Sequence, residues 1–327
     1  MKAVIATQGE LTDCETEVPD LRTDDLLVEV QAVSVNPVDT KVLSRGKTSN
    51  EEKVLGFDAV GIVRETGSQV QGFRPGDRVW YAGDITRAGS NAEFQSVDAR
   101  IASKAPANLS DAEAAAMPLT LITAWELLFD RLQLPTADPN AVLLVIGGAG
   151  GVGSILIQLA KQLTKATVVA TASRHESQAW VKKLGADFVL DHTMSLKDEL
   201  TATGLADVSH VASLTHSGAH FNEVVGMLRP QGHYALIDDP TEMLDIRLMK
   251  QKSLSLHWEF MFTRSMFTTT DIERQGSILK QAAVLFDDGK LHSTVTQTLS
   301  PMNAATLTRA HGMILQGHTV GKIVVTR

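Results

Sequence analysis

The sequence predicts an α/β protein: a doubly wound, six-stranded parallel sheet plus a second, β-rich domain. Three observations lead there. A glycine-rich run, Gly147-Gly148-Ala149-Gly150-Gly151-Val152-Gly153, lies between the apolar segment 142–146 and the amphipathic segment 155–163. From about residue 141 onward, short β-branched runs alternate with helical patterns, as expected of parallel strands joined by crossover helices. Before that point, residues 1 to about 118 carry short β patterns and turns without such alternation.

Taken in chain order, residues 1–7 read as a short strand. The run 26–35 is a longer strand ending at Asn36-Pro37. Residues 61–65 form another, and Phe73-Arg74-Pro75-Gly76-Asp77-Arg78-Val79 is a turn feeding a third. In the second zone, strands are expected at 142–146, 167–171, 188–190, 207–214, 233–237 and 254–258. Helices fall between most of them: 155–163, then 176–184 closed by Gly185, then 220–228 closed by Pro230. Six strands connected in this way make a sheet of the Rossmann type. Its last strand, 254–258, is expected at the outer edge, with Leu254 and Leu256 alternating with Ser253, Ser255 and His257 to bury one face. A helix at 272–286, a strand at 291–298, a helix at 304–315 and a strand at 322–326 complete the chain.

The glycine run is where chemistry enters. Gly148, Gly150 and Gly153 fit G-x-G-x-x-G, with the first glycine allowing a tight turn, the second a close approach to a pyrophosphate, and the third close helix–strand packing. The following helix points its unpaired N–H groups and positive dipole end at the anion. Strand, glycines and helix arrive in the order that a dinucleotide site needs. About 20 residues further on, a carboxylate would bind the ribose 2′-hydroxyl of NAD. This chain has Ser173 and Arg174 there, a hydroxyl and a guanidinium suited to a 2′-phosphate, so NADPH is the expected cofactor.

Composition narrows the function further. A chain of 327 residues is long enough for two domains. Its 30 basic and 38 acidic residues leave a net charge of −8, which argues against nucleic-acid binding and anionic membranes. No apolar run approaches the roughly 20 residues needed to span a bilayer, and the start does not read as a signal peptide. Cys14, among acidic residues, is the single cysteine, so intramolecular disulfides and multi-thiolate metal sites are excluded and a reducing cytoplasm is the expected home.

Several segments together resemble the medium-chain dehydrogenases/reductases, and among them the zinc-free quinone oxidoreductase branch. These are Ala32-Val33-Ser34-Val35-Asn36-Pro37-Val38-Asp39-Thr40, Gly56-Phe57-Asp58-Ala59-Val60-Gly61, the Gly72 to Val79 turn, the glycine loop with Gln158 and Lys161, and Gly321-Lys322-Ile323-Val324. Tyr81-Ala82-Gly83-Asp84-Ile85-Thr86-Arg87 and the run from His257 to Arg264 are similar to a subgroup labelled zinc-type alcohol dehydrogenase-like, some of whose members carry a lyase label. The resemblance implies a GroES-like catalytic domain at 1–118, a Rossmann NADPH-binding domain at 119–260, and a segment at 261–327 returning to the catalytic domain. It also implies a homodimer, formed by pairing the outer sheet edges across a two-fold axis.

The zinc label does not match the residues. Catalytic zinc needs three protein ligands and an open position, yet Asn36, Phe57 and Leu119 stand at the matching positions. The stretch matching the structural zinc lobe, roughly residues 81–94, has no cysteine. Asp58 by itself is no metal site and is expected in a hydrogen bond or ion pair. His216 and His220 have helical spacing but lack further ligands, so no metal is expected.

Without a metal, the expected substrates are quinones or α,β-unsaturated carbonyls, which accept hydride once their oxygen is held by a few donors. Asn36, Tyr81 and backbone N–H groups are the candidate donors, and Asp39 an orienting group. By resemblance, Thr120, Thr123, His192, Leu214, Ile237, His257, Trp258, Phe260 and Lys322 join Gly148, Ala149, Gly150, Gly151, Val152, Gly153, Ser173 and Arg174 as expected cofactor contacts. Lys322 matches a cationic position near the pyrophosphate. Zinc alcohol dehydrogenase chemistry and an NADPH-binding protein with vestigial turnover are the alternatives, and no constellation supports the lyase label.

Overall fold

A computed structural model describes residues 1–48 and 51–327. The chain forms two compact units, 1–122 with 261–327 and 123–260. The division falls after residue 122 rather than at 118/119, because the first turn of the helix Pro118–Trp125 is tied into the first unit through the Leu119 N–H, which donates to Asp58.

The second unit is built on a six-stranded parallel sheet. Its strands run in the order Phe188–Leu190, Thr167–Thr171, Val142–Ile146, Val208–Ser213, Leu228–Leu236, Ser255–Trp258. That order reverses after the first strand in sequence, the doubly wound pattern that opens a ligand crevice at the carboxyl ends of the strands. Val142–Ile146 is buried along its whole length, as a central strand covered on both faces must be. The helix Gly151–Leu163 follows it, burying Ile155, Leu156, Leu159 and Ala160. The next helix, His175–Lys183, ends before Gly185, whose φ of +109° takes the chain out of the helix. Ser255–Trp258 lies at the sheet edge, although Leu254 and Leu256 are only half-buried.

One helix is displaced from its expected place. It spans Ser217–Met227 rather than 220–228, because Asp238 accepts bonds from both the backbone N–H and the hydroxyl of Ser217 and so caps an earlier start. Nor does Pro230 close a helix. It lies within the strand Leu228–Leu236, where the pairing jumps from Val208↔Leu228 to His210↔His233 and the proline's missing N–H falls in the unpaired stretch.

In the first unit, the 11-residue strand Asp25–Val35 is the hub. It pairs along its length with Ala59–Thr66, at its start with Phe94–Asp98 and at its end with Lys322–Thr326, while Val295–Leu299, Arg78–Tyr81 and Ala102–Lys104 extend the sheet. Bulges between Leu27 and Val28 and between Val30 and Ala32 bend the hub so that it can serve different partners. Val28, Val30, Val33, Val63, Val79, Ile323 and Val325 fill the core. The strand expected at 291–298 begins only at Val295, since Thr294 is buried with its N–H directed at the Met117 sulfur.

Candidate functional site

Two sites emerge, one in each unit. In the second unit, the glycine loop is held from behind by Thr171. The Gly147 N–H donates to Thr171 Oγ1 at 3.0 Å and the Gly148 N–H to the Thr171 carbonyl at 3.3 Å. The tight turn belongs to Gly147, with φ +83°, rather than to Gly148. What Gly148 supplies is closeness, since a Cβ there would lie 2.9 Å from the Ala170 Cβ. At Gly153 a Cβ would lie 2.5 Å from the Gly147 carbonyl oxygen, so only glycine lets the helix start this close to the strand. At Gly150, by contrast, the nearest atom to such a Cβ is 3.6 Å away. The N–H groups of Gly151, Val152 and Gly153, in the first helical turn, have no intrahelical acceptors and are available to an anion.

Topology places several other expected contacts at the same carboxyl edge. Ser173 and Arg174 follow Thr167–Thr171, His192 follows Phe188–Leu190, Leu214 follows Val208–Ser213, and Ile237 follows Leu228–Leu236. Arg174 is exposed and stands at the N-cap of the helix His175–Lys183. Trp258 closes the last strand, and Phe260 lies just beyond it. The His257 ring has a different occupation: it stacks on His233, 6.1 Å between ring centroids, and His233 stacks on His210 at 5.2 Å. His257, His233 and His210 thus form a three-imidazole ladder on the sheet. Thr123 is buried in this unit, whereas Thr120 lies in the first, its hydroxyl donating to the Met117 carbonyl.

The first unit contains a buried polar network built on Asp58. This carboxylate accepts from the Ser34 hydroxyl at 2.6 Å, the Asn36 amide at 3.1 Å and the Leu119 backbone N–H at 2.9 Å, and Lys322 Nζ lies 3.5 Å away. Lys322 also donates to the Val35 carbonyl and to Asn36 Oδ1. Ser34, Asn36, Asp39, Asp58 and Lys322 are all at most 3% exposed. Burial pushes the Asp58 carboxyl up and the Lys322 ammonium down, while the attraction between them opposes both shifts. With four donors on the carboxylate, we read the pair as ionised. Asp39 accepts from the backbone N–H groups of Asn36 and Gly56, yet burial still raises it to about 7.

This geometry corrects three expectations. Lys322 is no pyrophosphate contact, because its ammonium is buried and consumed inside the first unit. Asn36 is no substrate donor, because its amide oxygen faces Lys322 and its nitrogen faces Asp58 and the Ser34 carbonyl. Tyr81 belongs to the apolar core, 1% exposed, with its hydroxyl lacking a partner among the described residues. Asp39 orients backbone, as expected, but is too buried to meet a substrate directly. The ion-pair role expected for Asp58 is observed, and its partner is the lysine placed elsewhere by resemblance. Thr171 went unrecognised in the sequence, although a hydroxyl residue ending the strand beside a glycine loop is the available signal.

The donor set does not suit zinc. Phe57 packs edge-on against Phe262 at 5.5 Å, Leu119 offers a hydrocarbon side chain, and Asn36 and Asp58 are occupied by each other and by a cation. Among the described residues no group of three histidines, cysteines or carboxylates is placed to hold a metal ion.

Comparison with known proteins adds the following. Residues 22–107 match the alcohol dehydrogenase GroES-like domain, and residues 184–325 match the zinc-binding dehydrogenase family. A zinc-type alcohol dehydrogenase-like protein of Staphylococcus aureus is 38% identical over 314 residues, covering 95% of this chain and 93% of its own length. A 2-methylene-furan-3-one reductase of Solanum lycopersicum is 34% identical over 244 residues, 69% of this chain and 61% of its own length. Among solved structures, a putative zinc-dependent alcohol dehydrogenase of Rhizobium etli superposes with a TM-score of 0.96 at 48% identity, covering 100% of this chain and 98% of its own. A mycobacterial protein complexed with NADPH superposes at 0.83 with 27% identity, covering 100% of both chains.

Proposed function

The chain belongs to the medium-chain dehydrogenase/reductase superfamily and is an oxidoreductase, and on that premise we propose that it reduces quinones or α,β-unsaturated carbonyl compounds with NADPH, without a catalytic metal. The observation that carries this reading is the filled metal position: Phe57 and Leu119 are hydrocarbon, and Asp58 is neutralised by Lys322. Alcohol oxidation needs a Lewis acid or a base to take up the hydroxyl proton. The buried network of the first unit offers neither, since Asp39 is held by two backbone N–H groups and Asp58 is saturated. A conjugated carbonyl or a quinone, being electrophilic already, makes no such demand. The tomato relative, by its name a reductase of a conjugated ketone, supports the same substrate class, and the mycobacterial NADPH complex supports the cofactor.

The residues of the second unit fit a dinucleotide. When bound, a dihydronicotinamide supplies the hydride. The chain's part is to seat the pyrophosphate on the N–H groups of 151–153 and the 2′-phosphate beside Ser173 and Arg174. The buried network of the first unit has a positioning role, fixing the backbone at Asn36, Gly56 and Leu119. The testing experiment is NADPH consumption by chelator-dialysed protein against a panel of quinones, enals, enones and simple alcohols with NADP. Turnover of the conjugated carbonyls or quinones alone supports the proposal. Alcohol oxidation that returns only with added zinc would overturn it.

A further inference from the structure

The helix His175–Lys183 touches the glycine loop at two successive residues. A Cβ on Gly148 would lie 3.3 Å from Val181 Cγ1, so the helix packs directly against that glycine. At the next residue the link is polar. Trp180 Nε1 donates to Ser154 Oγ at 2.8 Å, and Ser154 Oγ donates to the Ala149 carbonyl at 3.3 Å. Ser154 is wholly buried, one turn into the helix Gly151–Leu163. Its hydroxyl accepts from the indole and so has its proton left for Ala149, which sets the direction of the relay. The consequence lies in the peptide of Ala149. A carbonyl free to turn toward an anion would repel it, and here the relay ties that carbonyl to the serine of the helix.

We propose that Trp180 is a positioning residue for the cofactor's pyrophosphate, acting through Ser154 on the carbonyl of Ala149. The proposal rests on the nucleotide reading of the glycine loop. It also gives the helix two duties, since Arg174 stands at its N-cap and Trp180 lies in its second turn. The two are separable, because the relay acts on the pyrophosphate, common to NADPH and NADH, whereas Arg174 acts on the 2′-phosphate alone.

The test measures dissociation constants of NADPH and NADH by calorimetry for the unmutated chain, Trp180→Phe, Ser154→Ala and the double variant. Phenylalanine keeps an aromatic ring and removes only the donor. Each single variant is expected to weaken both cofactors by about 3- to 10-fold, the worth of one hydrogen bond. The double variant should be no worse than either single, because each breaks the same relay. The ratio of NADPH to NADH affinity should stay as in the unmutated chain. A purely structural role would instead displace the helix and shift that ratio through Arg174, and this outcome overturns the proposal, as do unchanged affinities or losses that multiply. Should Trp180→Phe fail to fold, Ser154→Ala alone decides by the same criteria. An unmutated chain that binds neither cofactor overturns the nucleotide reading and this proposal together, whereas normal binding with inert variants overturns the relay only.

Discussion

Lys322 and Arg174 are two cations that sequence reasoning assigns to one cofactor, and the structure separates them. Lys322 is 3% exposed and paired with Asp58, so its replacement leaves a buried carboxylate without its counter-charge. Lys322→Met is expected to lower unfolding stability by about 3–5 kcal/mol in chemical denaturation. A variant of unchanged stability with collapsed NADPH affinity would return the lysine to the pyrophosphate. Arg174, exposed at the carboxyl edge of the sheet, should behave in the opposite way. Arg174→Ala is expected to leave stability nearly intact and remove most of the preference for NADPH over NADH, a charged hydrogen bond of roughly 1.5–3 kcal/mol. Equal affinity for both cofactors in the unmutated chain would contradict it. The difference between the two cations could not be read from the sequence. Gly321-Lys322 marks only a strand start, and the burial of Lys322 depends on Asp58, which lies far earlier in the chain.

At the scale of elements, local patterns were the legible part. The strands 142–146, 167–171 and 188–190 and the helix 304–315 are observed with their expected bounds, because each is a contiguous apolar or amphipathic run with clear flanking signals. The helix Ser217–Met227 and the strand after it escaped, since the cap comes from Asp238 and the unpaired stretch from a neighbouring strand, neither of which is local. Helix Ala304–Leu315 carries a consequence for pH. His311 is buried in it with no partner on either ring nitrogen among the described residues, and burial pulls its pKa from 6.5 to about 4. A base whose folded pKa lies below its unfolded value gives stability above the unfolded value and loses it as pH falls toward the folded one. Stability should therefore decline between pH 6.5 and about 4, with His311 accounting for about 3 kcal/mol of that loss at its lower end. His311→Leu should flatten the decline in urea titrations across that range, and an unaltered pH slope would show that the ring is hydrated. His210, also pulled to about 4 by burial, adds to the same decline from the second unit.

For the whole molecule, the open edge of the parallel sheet calls for a partner. Ser255–Trp258 ends that sheet, and Trp258 and Phe260 beside it are 54% and 46% exposed. An unpaired strand edge with aromatic residues is a liability unless covered. A second copy of the chain can cover it by two-fold pairing of the same strand, and light scattering is expected to give twice the 35.3 kDa chain mass. A monomer mass at micromolar concentration would refute this. Among the described residues no helix is long and apolar enough to cross a membrane. In the proposed function this chain delivers hydride from NADPH to a conjugated carbonyl using no metal. The most direct test is a single turnover of chelator-dialysed protein with NADPH deuterated at nicotinamide C4, on each face in turn, and an enone substrate. The expected result is deuterium on the β-carbon of the saturated product from one face only, with a slowed transfer rate. Absence of label in the product, or transfer that begins only when zinc is restored, would contradict the account.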